Sequence, residues 1–313
     1  MIAPEGLFLP GFSRTGGFDT KRKVITIVLA VILFVLALGM TLYPVISNYV
    51  NQKYASEIHT AYQEVIQQTD NSELLKAKEQ AIAYNNAITP GAAAEDSYSQ
   101  EALKAASQDY DSLLNITGEG TMGYVEIPKI NVNLPIYHGT GNDSLDRGVG
   151  HLLGSSLPVG GSSTHSILTG HSGMASQKMF TDLEQLIVGD VFYLHILGEI
   201  LAYQVIEINT VLPYDTSFLG IEHGEDYCTL VTCTPYGVNT HRLLVRGSRI
   251  PYEEAEAIVE EIQKEEVETS TWEQQYIRGL VIGLKVLLSL VLLIGIAANI
   301  RKRKKRGGNY AKR

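Results

Sequence analysis

Residues 227–247 read YCTLVTCTPYGVNTHRLLVRG and carry the clearest structural pattern in this chain of 313 residues. Two runs rich in β-branched and apolar residues are separated by a short segment that contains Pro235 and Gly237. Such runs are typical of β-strands, and a connection of this length most naturally joins an antiparallel pair. Cys233 ends the first run and Arg242 begins the second, so we expect the two side chains to be neighbours at one end of a sheet.

The β-rich pattern extends outward from this pair over residues 122–250. Further short runs bounded by turn residues recur there, and the clearest are residues 123–127, 166–169, 191–196 and 201–208. Regular short strands over about 130 residues predict a closed barrel or a sandwich. The predicted fold class is therefore mainly β.

Two apolar runs, residues 24–46 and 279–300, flank this region. The first has no charged residue, and at about 1.5 Å rise per residue a helix of that length crosses a hydrocarbon core of roughly 30 Å. A cleaved signal peptide is the alternative, but the run is too long and no small-residue cleavage site follows. The second contains one charge, Lys285, close enough to its start to reach the interface, and a basic stretch ends it, which argues against a buried core helix.

The basic residues beside these runs predict the orientation of the chain. Residues 21–23 precede the first run and residues 301–306 follow the second, so the positive-inside rule predicts two cytoplasmic ends with the intervening portion outside. Between Ser47 and Ile277, 11 Lys and Arg stand against 32 Asp and Glu, a formal charge of −21. Such a surface repels nucleic acid and anionic lipid and attracts cationic partners.

The rest of the chain reads as helix and linker. Apolar residues at near-helical spacing predict helices over residues 48–87 and 101–114. The expected order is a cytoplasmic N-terminus (1–23), a transmembrane helix (24–46), an extracytoplasmic helical region (47–121), the β domain (122–250), an acidic spacer (251–276), a transmembrane helix (277–300) and a basic cytoplasmic tail (301–313).

Cys228 and Cys233 are the two cysteines of the chain. On one strand, five residues place them about 16 Å apart and on opposite faces. A disulfide needs Cα atoms within about 7 Å, so these two cannot pair with each other. We interpret Cys228 as a small buried residue, whereas Cys233 lies at a strand end beside Pro and Gly and needs an explanation.

His171 and Arg242 supply one explanation. His171 follows a β-rich run at a turn bounded by Gly170 and Gly173. An imidazole can take the proton of a thiol and return it to a leaving amine, and a guanidinium can stabilise the oxyanion of acyl transfer. Cys233, His171 and Arg242 are therefore candidate nucleophile, acid/base and oxyanion-stabilising residues.

Each of the three residues also has a structural interpretation. A free cysteine in a strand is usually buried, a lone histidine often serves as a hydrogen-bonding group, and an arginine often forms a surface ion pair. A zinc site is a further alternative, but the chain lacks the paired CxxC or HExxH spacing. The residues alone leave these alternatives open.

The sequence also resembles that of a known protein family. The stretch TLVTC at residues 229–233, followed by Arg242, resembles the signature of sortases, and the surrounding sequence is similar to the pilin-polymerising class C branch. The matching blocks, which together span most of residues 123–250, are GVGHL (148–152), SLPVGG (156–161), STHSILTGH (163–171), TLVTCTPYGVNTHR (229–242) and LLVRG (243–247).

The resemblance implies an eight-stranded β-barrel and a membrane-anchored cysteine transpeptidase on a Gram-positive cell. Such enzymes cleave a Leu-Pro-X-Thr-Gly sorting signal between Thr and Gly, and an amine resolves the Cys thioester. In class C that amine is usually a pilin Lys, and no cofactor is required. The family's catalytic residues carry over onto His171, Cys233 and Arg242.

The resemblance also implies a lid before the barrel. Class C enzymes usually have an Asp-Pro-aromatic motif there, whose Asp meets the catalytic Arg and whose aromatic ring covers the Cys. The best match is Asp96-Ser97-Tyr98, without the proline, so we expect a more mobile lid. An ordinary acidic loop, with Ser99 capping the next helix, is the alternative.

Two other functions stay open. An anchoring sortase would join proteins to peptidoglycan rather than to a pilin Lys. A catalytically silent cell-surface binding or assembly module could use the same barrel.

Overall fold

The computed structural model describes residues 16–88, 109–174, 177–262, 276, 278–287 and 289–290, and the chain divides into two compact units, residues 1–46 and 47–313. Helix α1 (Gly16–Gln68) contains the first predicted transmembrane run. Within the described part of the chain, one segment, Ile25–Gln68, is long and apolar enough to cross a membrane, and its apolar window is unburied. This indicates membrane anchoring near the N-terminus.

The second predicted membrane crossing is described only in part. Residues 278–287 and 289–290 are helical, and residues 291–300 lie outside the described residues. The two-pass topology therefore stays a prediction.

Eight strands form a closed barrel, which confirms the predicted fold class and decides between barrel and sandwich. In ring order they run β1-β2-β3-β4-β7-β8-β6-β5. Their bounds are β1 (Thr121–Ile127), β2 (Val132–His138), β3 (Val149–His151), β4 (Thr164–Thr169), β5 (Val191–Ile196), β6 (Glu199–Val211), β7 (Asp226–Thr234) and β8 (His241–Ile250).

The pairing of β4, β7 and β8 brings distant parts of the chain to one end of the barrel. Strands β4 and β7 are parallel, with Thr164 opposite Asp226 and Thr169 opposite Val231, so both strands end on the same side. Strand β8 is antiparallel to β7 and therefore begins where β7 ends. The other parallel pair is β2 with β3, and the remaining neighbours in the ring are antiparallel.

The helices that precede the barrel pack against its core. Tyr62 of α1 is buried, donates a hydrogen bond to the Met122 carbonyl (3.1 Å) and accepts one from the Leu197 amide (2.9 Å). Helix α2 (Asn71–Ala87) adds Ala77 and Ala81 to the same core. Buried apolar surface of this kind is the main stabilising contribution to a fold.

The helical region differs from the prediction in two places. The single helix expected over residues 48–87 is interrupted, because the Asp70 carboxylate accepts a hydrogen bond from the Ser72 amide (2.7 Å) and caps a new helix. The helix expected over residues 101–114 is, in its described part, only a 3₁₀ turn at Tyr110–Ser112. Residues 89–108 lie outside the described residues.

Helix α3 (Asn142–Leu145) lies between β2 and β3, and helix α4 (Tyr252–Ile262) follows β8. Ala255 of α4 is fully buried in a small apolar cluster with Val191 and Tyr193 of β5. The first part of the predicted acidic spacer is thus a helix that packs on the barrel.

Candidate active site

Cys233 and Arg242 are direct partners across the β7–β8 pair. Cys233 is the penultimate residue of β7, Arg242 is the second residue of β8, and both side chains are half-buried. The loop between them turns with Gly237 at φ +71° and Asn239 at φ +62°. The predicted neighbourhood of thiol and guanidinium is confirmed at the level of strand register.

His171 lies two residues beyond the end of β4, and the chain there still follows β7. The Gly170 amide donates to the Val231 carbonyl (3.0 Å), and the Thr232 hydroxyl donates to the Gly170 carbonyl (2.8 Å). Because Thr169 is opposite Val231, continuation of the same register by two residues places His171 level with Cys233. Neighbouring strands lie about 4.8 Å apart, so the imidazole and the thiol project from adjacent chain segments.

Two glycines allow the segment that carries His171 to pass close to the Phe180 ring and to the loop between β7 and β8. A Cβ at Gly170 would lie 2.6 Å from the Phe180 ring, closer than van der Waals contact permits. Gly173 has φ +76°, and a Cβ there would lie 3.2 Å from the Gly237 amide nitrogen. The turn after His171 therefore contacts the loop that joins Cys233 to Arg242.

Within the described residues, Arg242 uses only one of its guanidinium nitrogens, Nη1, for hydrogen bonds. Its Nη1 donates to the backbone carbonyls of His241 (3.1 Å) and Asn239 (3.4 Å). Among the described residues no carboxylate forms an ion pair with it. A guanidinium in this condition can donate to an anion that forms beside Cys233.

One acidic residue that the sequence analysis did not single out joins His171. Asp146, which follows α3, has its Oδ1 3.7 Å from the His171 Nε2. No local pattern identifies it, because it comes from the β2–β3 connection, 25 positions before His171. Only the folded barrel brings the two together.

The other cysteine is buried, and two other histidines form hydrogen bonds within the fold. Cys228 is free and fully buried, and burial together with Asp226 raises the pKa of its thiol well above the usual range. His151 Nε2 contacts the Ser156 carbonyl (2.9 Å), and His165 Nε2 contacts the Thr229 hydroxyl (2.7 Å). The interpretation of Cys228 as a buried residue is confirmed, and the two cysteines are unpaired as predicted.

Two further predictions concern the lid residues and a metal site. Asp96 and Tyr98, the residues assigned to a lid, lie outside the described residues. Within the described part of the chain, no group of three or more His, Cys, Asp or Glu side chains is arranged to hold a metal ion.

Comparison with known proteins gives a consistent set of relatives. Residues 125–250 match the family model described as the sortase domain. A sortase C from Streptococcus pneumoniae is 43% identical with a TM-score of 0.55, and the match covers 63% of this chain and 97% of that one. A sortase C from Clostridium perfringens, solved with a C-terminal cell wall sorting motif, is 42% identical with a TM-score of 0.53, over 63% of this chain and all of that one.

A curated relative extends the comparison. Sortase D from Bacillus subtilis (strain 168) is 32% identical over 137 residues. The match covers 43% of this chain and 66% of the relative's length.

Proposed function

Because this chain belongs to the sortase family, whose members are cysteine transpeptidases, we propose that it polymerises pilins at the outer face of a membrane. It cleaves a Leu-Pro-X-Thr-Gly-type signal through a thioester on Cys233 and transfers the acyl group to an amine, usually a pilin Lys. The observation that carries the proposal is the strand register, in which the ends of β4 and β7 and the start of β8 meet.

In the first half of the reaction, the Cys233 thiolate attacks the carbonyl carbon of the Thr–Gly bond. The carbonyl oxygen becomes an oxyanion, and Arg242 donates hydrogen bonds to it. The C–N bond then breaks, His171 gives its proton to the leaving Gly amine, and a thioester remains on Cys233.

In the second half, an amine attacks the thioester carbonyl. His171 accepts the proton that the attacking nitrogen loses, and Arg242 again stabilises the oxyanion. The C–S bond breaks, the new amide leaves, and the Cys233 thiolate is regenerated. Atoms and charges balance without any further reactant.

Separate observations support the proposed substrate class and the proposed membrane topology of the chain. The Streptococcus pneumoniae structure is described as providing insights into catalysis and pilin substrate specificity, and the Clostridium perfringens structure contains a sorting motif. The formal charge of −21 on residues 47–277 favours a Lys-bearing acceptor. One described apolar helix supports membrane anchoring, and the second crossing of a two-pass topology follows from sequence.

We further propose that Asp96 and Tyr98 belong to a lid that covers the Cys233–Arg242 end of the barrel. Asp96→Ala should then raise activity toward a soluble peptide, since the contact that closes the lid is lost. Cleavage rate and Cys233 alkylation rate measure this, and if neither changes in the variant, residues 96–98 form an ordinary loop.

The function is tested by incubating the full-length chain in detergent with a Leu-Pro-X-Thr-Gly peptide and searching for the acyl adduct by mass spectrometry. We expect a thioester on Cys233 and none on Cys228. Addition of a pilin Lys peptide or a cell-wall amine then distinguishes polymerisation from anchoring by the product formed. Absence of both a thioester and fast alkylation of Cys233 would instead support a silent surface module.

A further inference from the structure

The pair of Asp146 and His171 has a defined geometry. The carboxylate Oδ1 lies 3.7 Å from the imidazole Nε2, with 63% of the Asp146 side chain and 31% of the His171 side chain exposed. The neighbouring cation, Arg147, forms no ion pair with Asp146 among the described residues, and its guanidinium stacks over the Tyr137 ring at 4.4 Å. Among the described residues, His171 is the ionisable partner of this carboxylate.

Backbone hydrogen bonds hold both partners in place. The Asp146 amide donates to the Asn142 carbonyl (2.8 Å), and the Asp146 carbonyl accepts from the Gln177 side-chain amide (2.7 Å). The His171 carbonyl accepts a hydrogen bond from the Phe180 amide (3.0 Å). The segment after His171 thus returns to hold Asp146, and the two side chains are positioned by connected parts of the chain.

A carboxylate in this position has two effects on an imidazole. It favours the tautomer with the proton on Nε2, the ring nitrogen that faces it, and Nδ1 is then the nitrogen with a free lone pair. Its negative charge also attracts the positive charge that the ring carries while it holds a second proton during the reaction. A carboxylate beside the histidine of a hydrolytic triad acts in the same two ways, although through the opposite ring nitrogen.

We propose that Asp146 is a positioning residue that orients His171 and, through its charge, assists the proton exchange between His171 and Cys233. The inference rests on the proposed function, in which His171 exchanges protons with Cys233 and with the two amines. Because the carboxylate is largely exposed, solvent screens its charge, and the expected contribution is at most about fivefold in rate.

The chain offers a matched set of variants. Asp146→Asn keeps the shape of the side chain and removes its charge, whereas Asp146→Glu keeps the charge. Asp143→Asn, on helix α3, removes an exposed charge three residues away and is the control. Steady-state cleavage of a sorting-signal peptide gives kcat and KM, and iodoacetamide alkylation of Cys233 gives a rate that needs no sorting signal.

We expect Asp146→Asn to lower kcat and the Cys233 alkylation rate by about fivefold, with KM unchanged. Asp146→Glu should recover at least half of both rates, and Asp143→Asn should match the wild type. Rescue by Glu separates a charge effect from a loss of local structure, because a packing defect would not be repaired by a longer side chain.

Three outcomes would overturn the inference. Unchanged kcat and alkylation in Asp146→Asn would remove any role for the residue. A loss confined to amine transfer, with peptide cleavage unchanged, would assign Asp146 to acceptor binding. Equal losses in Asp146→Asn and Asp143→Asn would reduce the effect to surface charge. A wild-type chain that forms no thioester, yet whose alkylation slows in Asp146→Asn, would refute the proposed function and leave only the effect of Asp146 on the Cys233 thiol.

Discussion

Strands β4 and β7 present a histidine and a cysteine at each end of the same parallel pair. Toward the start of the two strands, His165 and Cys228 are both buried. Beyond the end of β4 and near the end of β7, His171 and Cys233 are half-buried and open to solvent. The same two residue types thus occur in two environments on one scaffold.

Burial makes the inner pair chemically silent. It lowers the pKa of His165 to about 4 and raises the pKa of the Cys228 thiol well above its usual range, so both groups are neutral near pH 7. The His165 ring is also occupied, with Nδ1 on the Gly220 carbonyl (2.8 Å) and Nε2 on the Thr229 hydroxyl (2.7 Å). Residue type alone therefore does not identify a reactive site. Access to solvent at the strand end is what distinguishes His171 and Cys233 from the buried His165 and Cys228.

Replacement of each cysteine by alanine should give the largest difference in activity between the two ends of the β4–β7 pair. Cys233→Ala removes the proposed nucleophile, so we expect peptide cleavage to fall by at least about 10⁴-fold with no thioester formed. Cys228→Ala should leave cleavage near the wild-type rate but lower the free energy of unfolding by about 1–2 kcal/mol, because it removes a buried sulfur. Cleavage assays and denaturant titrations measure the two effects. A thioester in Cys233→Ala, or inactivity in folded Cys228→Ala, would reverse the roles of the two residues.

Two of the three arginines of β8 provide the next test. Arg246 forms ion pairs with Glu222 (3.0 Å) and Glu207 (3.3 Å), whereas Arg242 bonds only to backbone carbonyls within the described residues. Arg242→Lys keeps a charge but loses the planar set of donors, so kcat should fall about 10²-fold with the fold intact. Arg246→Lys should cost about 1 kcal/mol of stability and leave kcat unchanged. Equal effects on kcat would contradict an oxyanion role for Arg242.

The buried histidines should define the acid limit of stability. Burial lowers the pKa of His151 and of His165 to about 4, from 6.5 in the unfolded chain. The unfolded state therefore takes up protons first, and stability that is fully present above pH 6.5 is lost as pH falls toward 4, by about 3 kcal/mol for each residue.

Unfolding free energies between pH 7 and pH 4 measure this loss. His165→Gln should reduce the slope in that window, whereas His223→Gln, which changes an exposed histidine, should leave it unchanged. Stability that does not vary with pH in this window would show that these rings are protonated in the folded chain.

The sequence predicts contacts correctly where the two residues are close together along the chain. The β7–β8 pair and the adjacency of Cys233 and Arg242 follow from two strand patterns and one short loop. The position of His171 beside Cys233 depends on parallel pairing between two strands more than 60 residues apart in sequence. No local pattern of residues encodes that pairing. Here the family resemblance, rather than the pattern of residues, supplied the prediction.

The elements that the pattern missed have physical explanations. Strand β2 contains Pro135, which lacks an amide donor and obscures a strand pattern, and β3 has only three residues. The break at Asp70 carries a capping signal, but it falls inside an otherwise continuous helical period. Asp146 reaches His171 only through the fold, so the sequence had no means to assign it.

The closure of the barrel has a consequence for a protein that works among extended polypeptides. Each strand of the ring pairs with a neighbour on both sides over part of its length, so the unpaired edges in the part of the chain that the structure describes are short, as at the end of β6. An open edge would template the addition of any extended segment and, with it, the growth of a shared sheet. Closure therefore leaves little backbone edge along which a passing chain could add as a further strand.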